Sequence, residues 1–599
     1  MFNEISLCMI VKNEEENIER CILSVKDLVD EIIIVDTGST DKTVEIAKSY
    51  GAKVFYFKWC NDFSAARNES LKYATKDWIL IMDADDEFCI EDRTKFKELI
   101  KNLDNNILYY FETLSYLGDE KSSNLNVNLN PRLFKNNYGY YYRGAVHNQL
   151  LNSNILIKGK VEKIRIYHYG YMTKNMVGKN KRERNINILK KLIKEEPDNK
   201  FNYFNLGNEY CCLNEKKKAL ECYYKSYEGF NPHLEYSANL LEKVIIVNYE
   251  LKNFDKALEF INIGLYYYPN FTDLYHLRGI IYDAQNKPTL AIKSFQKCIE
   301  LGEPPASLKS IYGVENFRSY NEISKLYIKL KDYDAAYKYC IETIKSKPDC
   351  LEPLYNICYI LKRKKMPIDD FKNRIEGFFS DFPREYFFIA HLFYTEGYYE
   401  TALEYIEKME AKQQLTEDII IFKAKCLIRT SKFSECIEIN STPKDNQLYL
   451  EFSMCKIISL IMLDRLDLAL NIINDFDENY FSDDDKKMFQ VYRQLVNLFT
   501  DKQVSVLSES EDEKSYNEFI FEIIEIFIIN KEFDKLEKAL NLLNLISDKF
   551  VLLELGKIYY KYGYKDMAKK EIMRSIKLFE IIDKQGADIL QDTLFNCNS

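Results

Sequence analysis

The stretch "WILIMDADDEF", Trp78 to Phe88, decides the fold of the first part of the chain. An apolar run of strand length breaks on Asp83, Asp85 and Asp86. Such a run, without polar alternation, reads as a strand buried on both faces. Upstream, "EIIIVD" (Glu31 to Asp36), Ile5 to Val11 and Lys53 to Phe57 read the same way. Between them lie amphipathic stretches. Asn17 to Val25 places Ile18, Cys21, Ile22 and Val25 on one helical face. Asp41 to Tyr50 and Phe63 to Thr75 are helices, with Asp92 to Lys101 following the decisive strand. Strands alternating with helices of about ten residues predict right-handed crossovers and a mostly parallel, Rossmann-like α/β sheet. Such sheets bind ligands at the carboxyl ends of their strands. Asp36, Asp83 and Asp85 fall there.

Beyond residue 195 the strand signal stops and a repeat replaces it. Tyr203, Leu206, Gly207 and Tyr210 are followed by Ala219, Tyr223, Ser226 and Pro232. Ala257 with Pro269, Ala291 with Pro304 and Ala336 with Pro348 hold equivalent places, and Ala257 to Ala291 is a spacing of 34. The set returns at Leu552, Leu555, Gly556, Tyr559 and Ala568, and is degenerate around Ala402 and Ala469. This resembles the tetratricopeptide repeat, whose helical pairs stack into a superhelix suited to holding peptides or proteins. Roughly eight to ten pairs are expected from a period of that length. The division read from the chain is an α/β domain over 1–172, a basic connecting helix or loop over 173–198, and an all-α array over 199–599.

Composition narrows the function. A net charge of −10 argues against nucleic acid as the main partner, because phosphate binding favours a basic face. The 15 cysteines form no CxxC pair, so reduced thiols in a cytoplasmic protein are expected rather than a zinc ribbon or disulfide framework. Leu7 to Val11 is too short for a signal-peptide core, and Phe519 to Asn530 is broken by Glu522 and Glu525, so no transmembrane segment is expected. Oligomeric state is unreadable.

The chemistry centres on Asp83 and Asp85. Carboxylates at the end of a buried strand are costly unless they bind something. Two oxygen donors at i and i+2 facing a crevice suit Mg²⁺ or Mn²⁺, which would bridge to a diphosphate. The plain alternative is an acidic turn ending a strand, and an isolated DxD triplet does not exclude it. Thr173 to Lys191 carries seven basic residues and one acid. It reads as a solvated connecting helix. A sharper reading is a loop closing over a diphosphate with Lys179, Lys181, Arg182 or Arg184.

Four motifs in order supply the context: "SLCMIVKNEEENI", "IIIVDTGSTDKT", "NDFSAARNESL" and "ILIMDADDEF". Together, over residues 4 to 175, they resemble the inverting family-two glycosyltransferases with the GT-A fold. The resemblance implies a nucleotide diphosphate sugar donor, by default UDP-linked. It implies that Met9 to Asn13, including Val11 and Asn13, line the base pocket and that Asp36 lies near the base or ribose. Many relatives carry a second Asp where Thr37 stands. Arg67 is implied near the nucleotide, Asp83 at the ribose and Asp85 on the metal, with Asp86 orienting. His168, in "IYHYGYM", is implied to complete the metal's coordination, against the alternative of a structural strand residue. Pro131 to Leu151 resembles a segment that often reads valine-histidine-glutamate. Here it reads Val146, His147, Asn148, and Asn148 cannot act as a base. An inverting transfer generally needs one. Glu112, Asp119, Glu120 and His147 are the candidates, unless the acceptor is as acidic as a thiol.

The domain layout resembles peptide glycosyltransferases that modify cysteine or serine. The leading expectation is therefore transfer onto a protein or peptide side chain held by the repeats. One alternative is transfer onto a lipid-linked or surface polysaccharide intermediate. Another is a catalytically inactive repeat scaffold, which the replacements at Asn148 and Thr37 favour and the intact Asp36, Arg67, Asp83 and Asp85 oppose.

Overall fold

The computed structural model describes residues 3–116, 125–146, 148–154, 158–170, 179–379, 382–439, 448–476, 482–507 and 514–595. The chain packs as two compact units, Met1–Ile360 and Leu361–Ser599.

The first unit opens with β1 (Ile5–Val11), α1 (Ile18–Val25), β2 (Glu31–Asp36), α2 (Thr43–Ser49), β3 (Lys53–Tyr56), α3 (Phe63–Tyr73) and β4 (Trp78–Ile81). These are the elements expected from the apolar runs, with ends shifted by a few residues. Then come β5 (Asp86–Phe88), α4 (Arg93–Leu99), β6 (Ile107–Tyr116), β7 (Leu125–Lys135), β8 (Tyr140–Arg143), β9 (Gln149–Asn152) and β10 (Lys158–His168). The main sheet has eight strands in the order β3-β2-β1-β4-β7-β6-β10-β5. The first four pair in parallel, and β6 pairs in parallel with β10. Strand β7 runs antiparallel between β4 and β6, and β5 runs antiparallel to β10. Here the structure refines the expectation of a single strand to Asp83. Strand β4 ends at Ile81, and the chain turns through the acidic triplet into β5.

Each sheet face is covered by helices, as the near-continuous apolar strands require. Ile18, Cys21, Ile22 and Val25 of α1 pack fully buried against Leu7, Met9, Ile34 and Leu80. On the other face Cys8, Ile33, Ile79 and Ile81 meet Ala74 and Leu71 at the end of α3.

At the end of the sheet remote from the acidic turn, Glu31 ties the strands together. Its side chain is 2 % exposed. It accepts hydrogen bonds from Ser6 Oγ at 2.7 Å, Lys53 Nζ at 2.8 Å and Thr75 N at 2.9 Å.

The repeats begin earlier than expected. Helix α5 (Lys179–Glu195) is no solvated connector, because Ile186 and Leu189 are buried in the core that holds Leu206 and Tyr223. Pairs follow as α6 (Lys200–Cys212) with α7 (Lys216–Tyr227), α8 (Ser237–Glu250) with α9 (Phe254–Tyr267), α10 (Thr272–Ala284) with α11 (Pro288–Leu301), and α12 (Phe317–Lys329) with α13 (Tyr333–Ser346). Ala219, Ala257, Ala291 and Ala336 are fully buried. A methyl group on Gly207 would come within 2.5 Å of the Tyr223 ring, and one on Gly279 within 2.6 Å of Phe295. Small residues at these crossings let the paired helices touch.

The connector between α11 and α12 reaches back to the sheet. Val127 N donates to Ser310 O at 2.7 Å, and Asn126 and Ile311 form an antiparallel bridge. On its other side Asp273 of α10 accepts from Ser310 N at 3.0 Å and Ile311 N at 2.6 Å, and Glu242 of α8 accepts from Ser310 Oγ. Burial and the neighbouring Glu242 raise the Asp273 carboxyl. The expected boundary over 173–198 thus falls inside the first unit. Among the described residues the second unit is helical throughout, with Ala402 and Ala469 fully buried.

Burial alone would raise the Glu31 carboxyl, but its hydrogen bonds from Lys53, Thr75 and Ser6 outweigh it and pull it down to about 2. Its stabilisation is complete above about pH 5 and is lost as the pH falls toward 2. Glu31→Gln is expected to lower stability by roughly 3 kcal/mol at pH 7. Urea unfolding from pH 7 to pH 3 checks this: the gap from wild type should close on acidification, and a pH-independent gap contradicts the assignment.

Candidate active site

Strands β1, β2 and β4 end together, and the turn after β4 builds the site. Asp83 N donates to Asp86 Oδ2 at 2.9 Å, and Asp86 N donates to Asp83 O at 3.0 Å. This reciprocal pair closes the turn and points successive carboxylates in different directions.

Asp83 faces Arg67 of α3, whose Nη2 lies 2.6 Å from Asp83 Oδ1. The guanidinium also sits 5.4 Å from the centre of the Tyr142 ring. Burial works against the charged carboxylate, but Arg67, Arg132 and His168 outweigh it and hold Asp83 well below the usual range.

Asp86 is fully buried and meets His168 Nδ1 at 3.0 Å. The residues are 82 apart in sequence and are brought together by antiparallel pairing of β5 with β10. Asp85 Oδ1 lies 3.5 Å from the same nitrogen. Burial disfavours the charged imidazole, yet Asp85, Asp86 and Asp83 prevail and lift His168 to about 9.

Asp85, Asp86 and His168 each offer a ligand atom within 4.8 Å of the others. The space between two of them is defined by Gly170. A methyl group there would stand 2.5 Å from Asp85 Oδ2 and 2.6 Å from His168 Nε2. Carboxylate oxygen and imidazole nitrogen around a gap kept open by glycine fit a divalent cation such as Mn²⁺ or Mg²⁺. Buried polar atoms nearby have no hydrogen-bond partner among the described residues: Arg67 Nε, Arg132 Nε and Ser115 Oγ. A polar ligand suits such surroundings.

The base-pocket candidates lie at the adjoining strand ends. Val11 is buried, and its carbonyl accepts from Thr37 N and Thr37 Oγ1, both at 3.0 Å. Thr37 therefore staples β1 to β2. Asn13 has a positive φ of 55°, and its Oδ1 accepts from Thr40 N at 2.8 Å. Asp36 caps its own turn, accepting from Gly38 N and Ser39 N, both at 3.1 Å.

On the acceptor side the candidates separate. Asp119, Glu120 and His147 lie outside the described residues. Glu112 is not brought to the cluster. It alternates along β6 with Thr113, whose Oγ1 accepts from Arg132 Nη2 at 3.1 Å, so it sits on the opposite sheet face from that pair. It is buried with Lys309 Nζ at 3.3 Å. The loop before His147 is held by α3, where Ser64 Oγ donates to Gly144 O at 2.7 Å and Phe63 N to Ala145 O at 3.0 Å.

Two basic residues expected to close over a diphosphate are engaged elsewhere. Arg182 pairs with buried Glu209 at 3.0 Å, and Arg184 lies over the rings of Trp59 and Phe63. The side chains of Lys179 and Lys181 lie outside the described residues. Sequence reasoning missed Arg132 and Gly170. A charged residue inside the apolar run "RLF" and a glycine two places after His168 were the available signals.

Residues 6–148 match the glycosyl transferase family 2 model, and residues 272–301 and 317–350 match the tetratricopeptide repeat. The SPbeta prophage-derived glycosyltransferase SunS of Bacillus subtilis is 30 % identical over 292 residues, which span 47 % of this chain and 68 % of that protein. A TPR repeat-containing protein of Synechococcus elongatus is 34 % identical over 212 residues, or 34 % of this chain and 51 % of that one. An uncharacterized glycosyltransferase of Rickettsia typhi is 39 % identical over 122 residues, or 20 % and 41 % of the two chains.

The φ of Gly170 lies outside the positive region, so Gly170→Ala meets no backbone penalty and its effect is steric. Calorimetric titration is expected to show Mn²⁺ affinity reduced at least about tenfold in a folded variant. Unchanged affinity contradicts a cation between Asp85 and His168.

Proposed function

The chain belongs to glycosyltransferase family 2, and from that premise we propose that it moves a sugar from a UDP-linked donor onto a protein or peptide side chain, with inversion. The carrying observation is the cluster of Asp85, Asp86 and His168 around the gap at Gly170. Asp85 and His168 would hold Mn²⁺ or Mg²⁺. When bound, the cation neutralises the diphosphate and stabilises the charge that develops on it as the sugar departs.

The chain's own residues do the rest. Val11 and Asn13 line the base pocket, with Asp36 anchoring the turn beside them. Arg67 holds Asp83 toward the ribose. A guanidinium pinned by a carboxylate and an aromatic ring keeps its place without reorganising when donor arrives. For proton removal from the acceptor, Glu112 is set aside because Lys309 engages it on the other face of β6. His147 is the base we favour, with Asp119 the alternative.

We divide the labour as catalysis over 1–172 and acceptor binding by the repeats over 199–599, joined over 173–198, where helix α5 packs onto the first repeat instead of lying in solvent. Glu242 and Asp273 are committed to the chain's own Ser310 and Ile311, so acceptor contacts come from other surfaces of the array. Among the described residues no helix is long and apolar enough to cross a membrane. The proposal sets the reaction in the cytoplasm, where buried thiols such as Cys8 and Cys21 stay reduced.

Release of nucleotide diphosphate from a panel of UDP-sugars, read with intact mass of candidate peptides, tests this. Wild type with Mn²⁺ should release nucleotide and add one sugar mass to a peptide. EDTA should abolish release and Mn²⁺ restore it. Asp85→Ala should lower it at least about a hundredfold. Full activity in that variant would sink the metal assignment, and nucleotide release without any modified polypeptide would sink the acceptor.

A further inference from the structure

Asp86 is held from behind by a buried arginine. Arg132 lies in β7, and its side chain is 5 % exposed while that of Asp86 is 0 %. Its guanidinium is fixed from three directions. Nη1 donates to Asp86 Oδ2 at 2.9 Å and to Ile81 O, the last residue of β4, at 3.2 Å. Nη2 donates to Thr113 Oγ1 of β6 at 3.1 Å, and Asn130 Nδ2 donates to that hydroxyl at 2.9 Å. Asp86 then has one oxygen toward Arg132 and the turn, and the other toward His168 Nδ1.

This geometry orders the imidazole. With Nδ1–H donated to Asp86, Nε2 is the ring atom left pointing at the gap beside Asp85 Oδ2, where a bound cation would take its lone pair in place of a proton. A buried carboxylate without its cationic partner would be an uncompensated charge, and would relax toward any other cation in reach. Arginine is required rather than a generic positive charge. Only a planar fork reaches Ile81, Asp86 and Thr113 together, whereas an ammonium is a point donor.

We propose that Arg132 is a positioning residue of the transfer site, which acts through Asp86 to turn His168 Nε2 toward the cation. The proposal rests on the metal reading above and adds a residue that acts on the cation through Asp86. It predicts that losing Arg132 weakens cation binding first and turnover only as a consequence.

The test is Mn²⁺ titration of the full chain by electron paramagnetic resonance, without donor, alongside the unfolding midpoint. Arg132→Met and Arg132→Lys are expected to weaken Mn²⁺ binding by about 10–100-fold. Thr113→Val, which removes only the hydroxyl that holds Nη2, should weaken it less and in the same direction. Activity of the Arg132 variants should return toward the wild-type kcat at saturating Mn²⁺, which a merely structural role would not produce. Wild-type Mn²⁺ affinity in folded Arg132→Met overturns the proposal. If that variant does not fold, Thr113→Val decides, and unchanged affinity there overturns it. Failure of wild type to bind Mn²⁺ would instead remove the metal reading itself.

Discussion

The buried carboxylate of Asp86 holds the working end of the sheet together. It accepts from the backbone of Asp83 and from Arg132, and it meets His168. Three segments thus converge on this one side chain of β5: the turn after β4, β7 and β10. The turn aims Asp83 at Arg67 and leaves Asp85 beside His168. Burying such a group is tolerable only because a guanidinium and two N–H donors compensate it. Removing any of these partners would be felt at all the others, since they share two oxygens.

The strand-end placement of Val11, Asp36 and Asp83 was legible in the sequence because these residues lie at or just after short apolar runs. Val11 and Asp36 stand at the ends of strands that show as blocks of apolar residues, and Asp83 stands in the turn just after another. The parallel order of those strands then places them side by side. His168 is different. Its position beside Asp85 depends on β10 pairing with both β6 and β5, contacts between segments far apart in the chain. Strand β7 reads "LNVNLNPRLFK", alternating apolar residues with asparagine, a pattern of period two that identifies a strand but not its neighbours. Arg132 could be seen there as an odd charge, but nothing in the sequence names Asp86 as its partner. Glu112 shows the converse error. A carboxylate in the right stretch of chain sits on the wrong face of its strand, against Lys309.

The repeats were readable from a period, and their helices occur where alanine and glycine mark close crossings. Their attachment was not readable. Residues 309–312 leave the repeat pattern and run as an extended segment between the edge of β7 and the carboxylates of α8 and α10. Together with α5, this binds the first repeats and the sheet into one unit. Repeat helices commonly offer such polar faces to extended partners, and here the chain meets part of that capacity itself.

The central claim is that Asp85 and His168 jointly hold a divalent cation whose orientation Asp86 sets from behind. Anomalous diffraction at the manganese edge, from crystals of the full chain with Mn²⁺ and UDP, addresses it most directly. The account predicts a single strong peak in the gap beside Gly170, within bonding distance of Asp85 and of His168 Nε2, with Arg132 still on Asp86. A peak bonded to Asp86 in place of His168, or no peak in that gap, would contradict it.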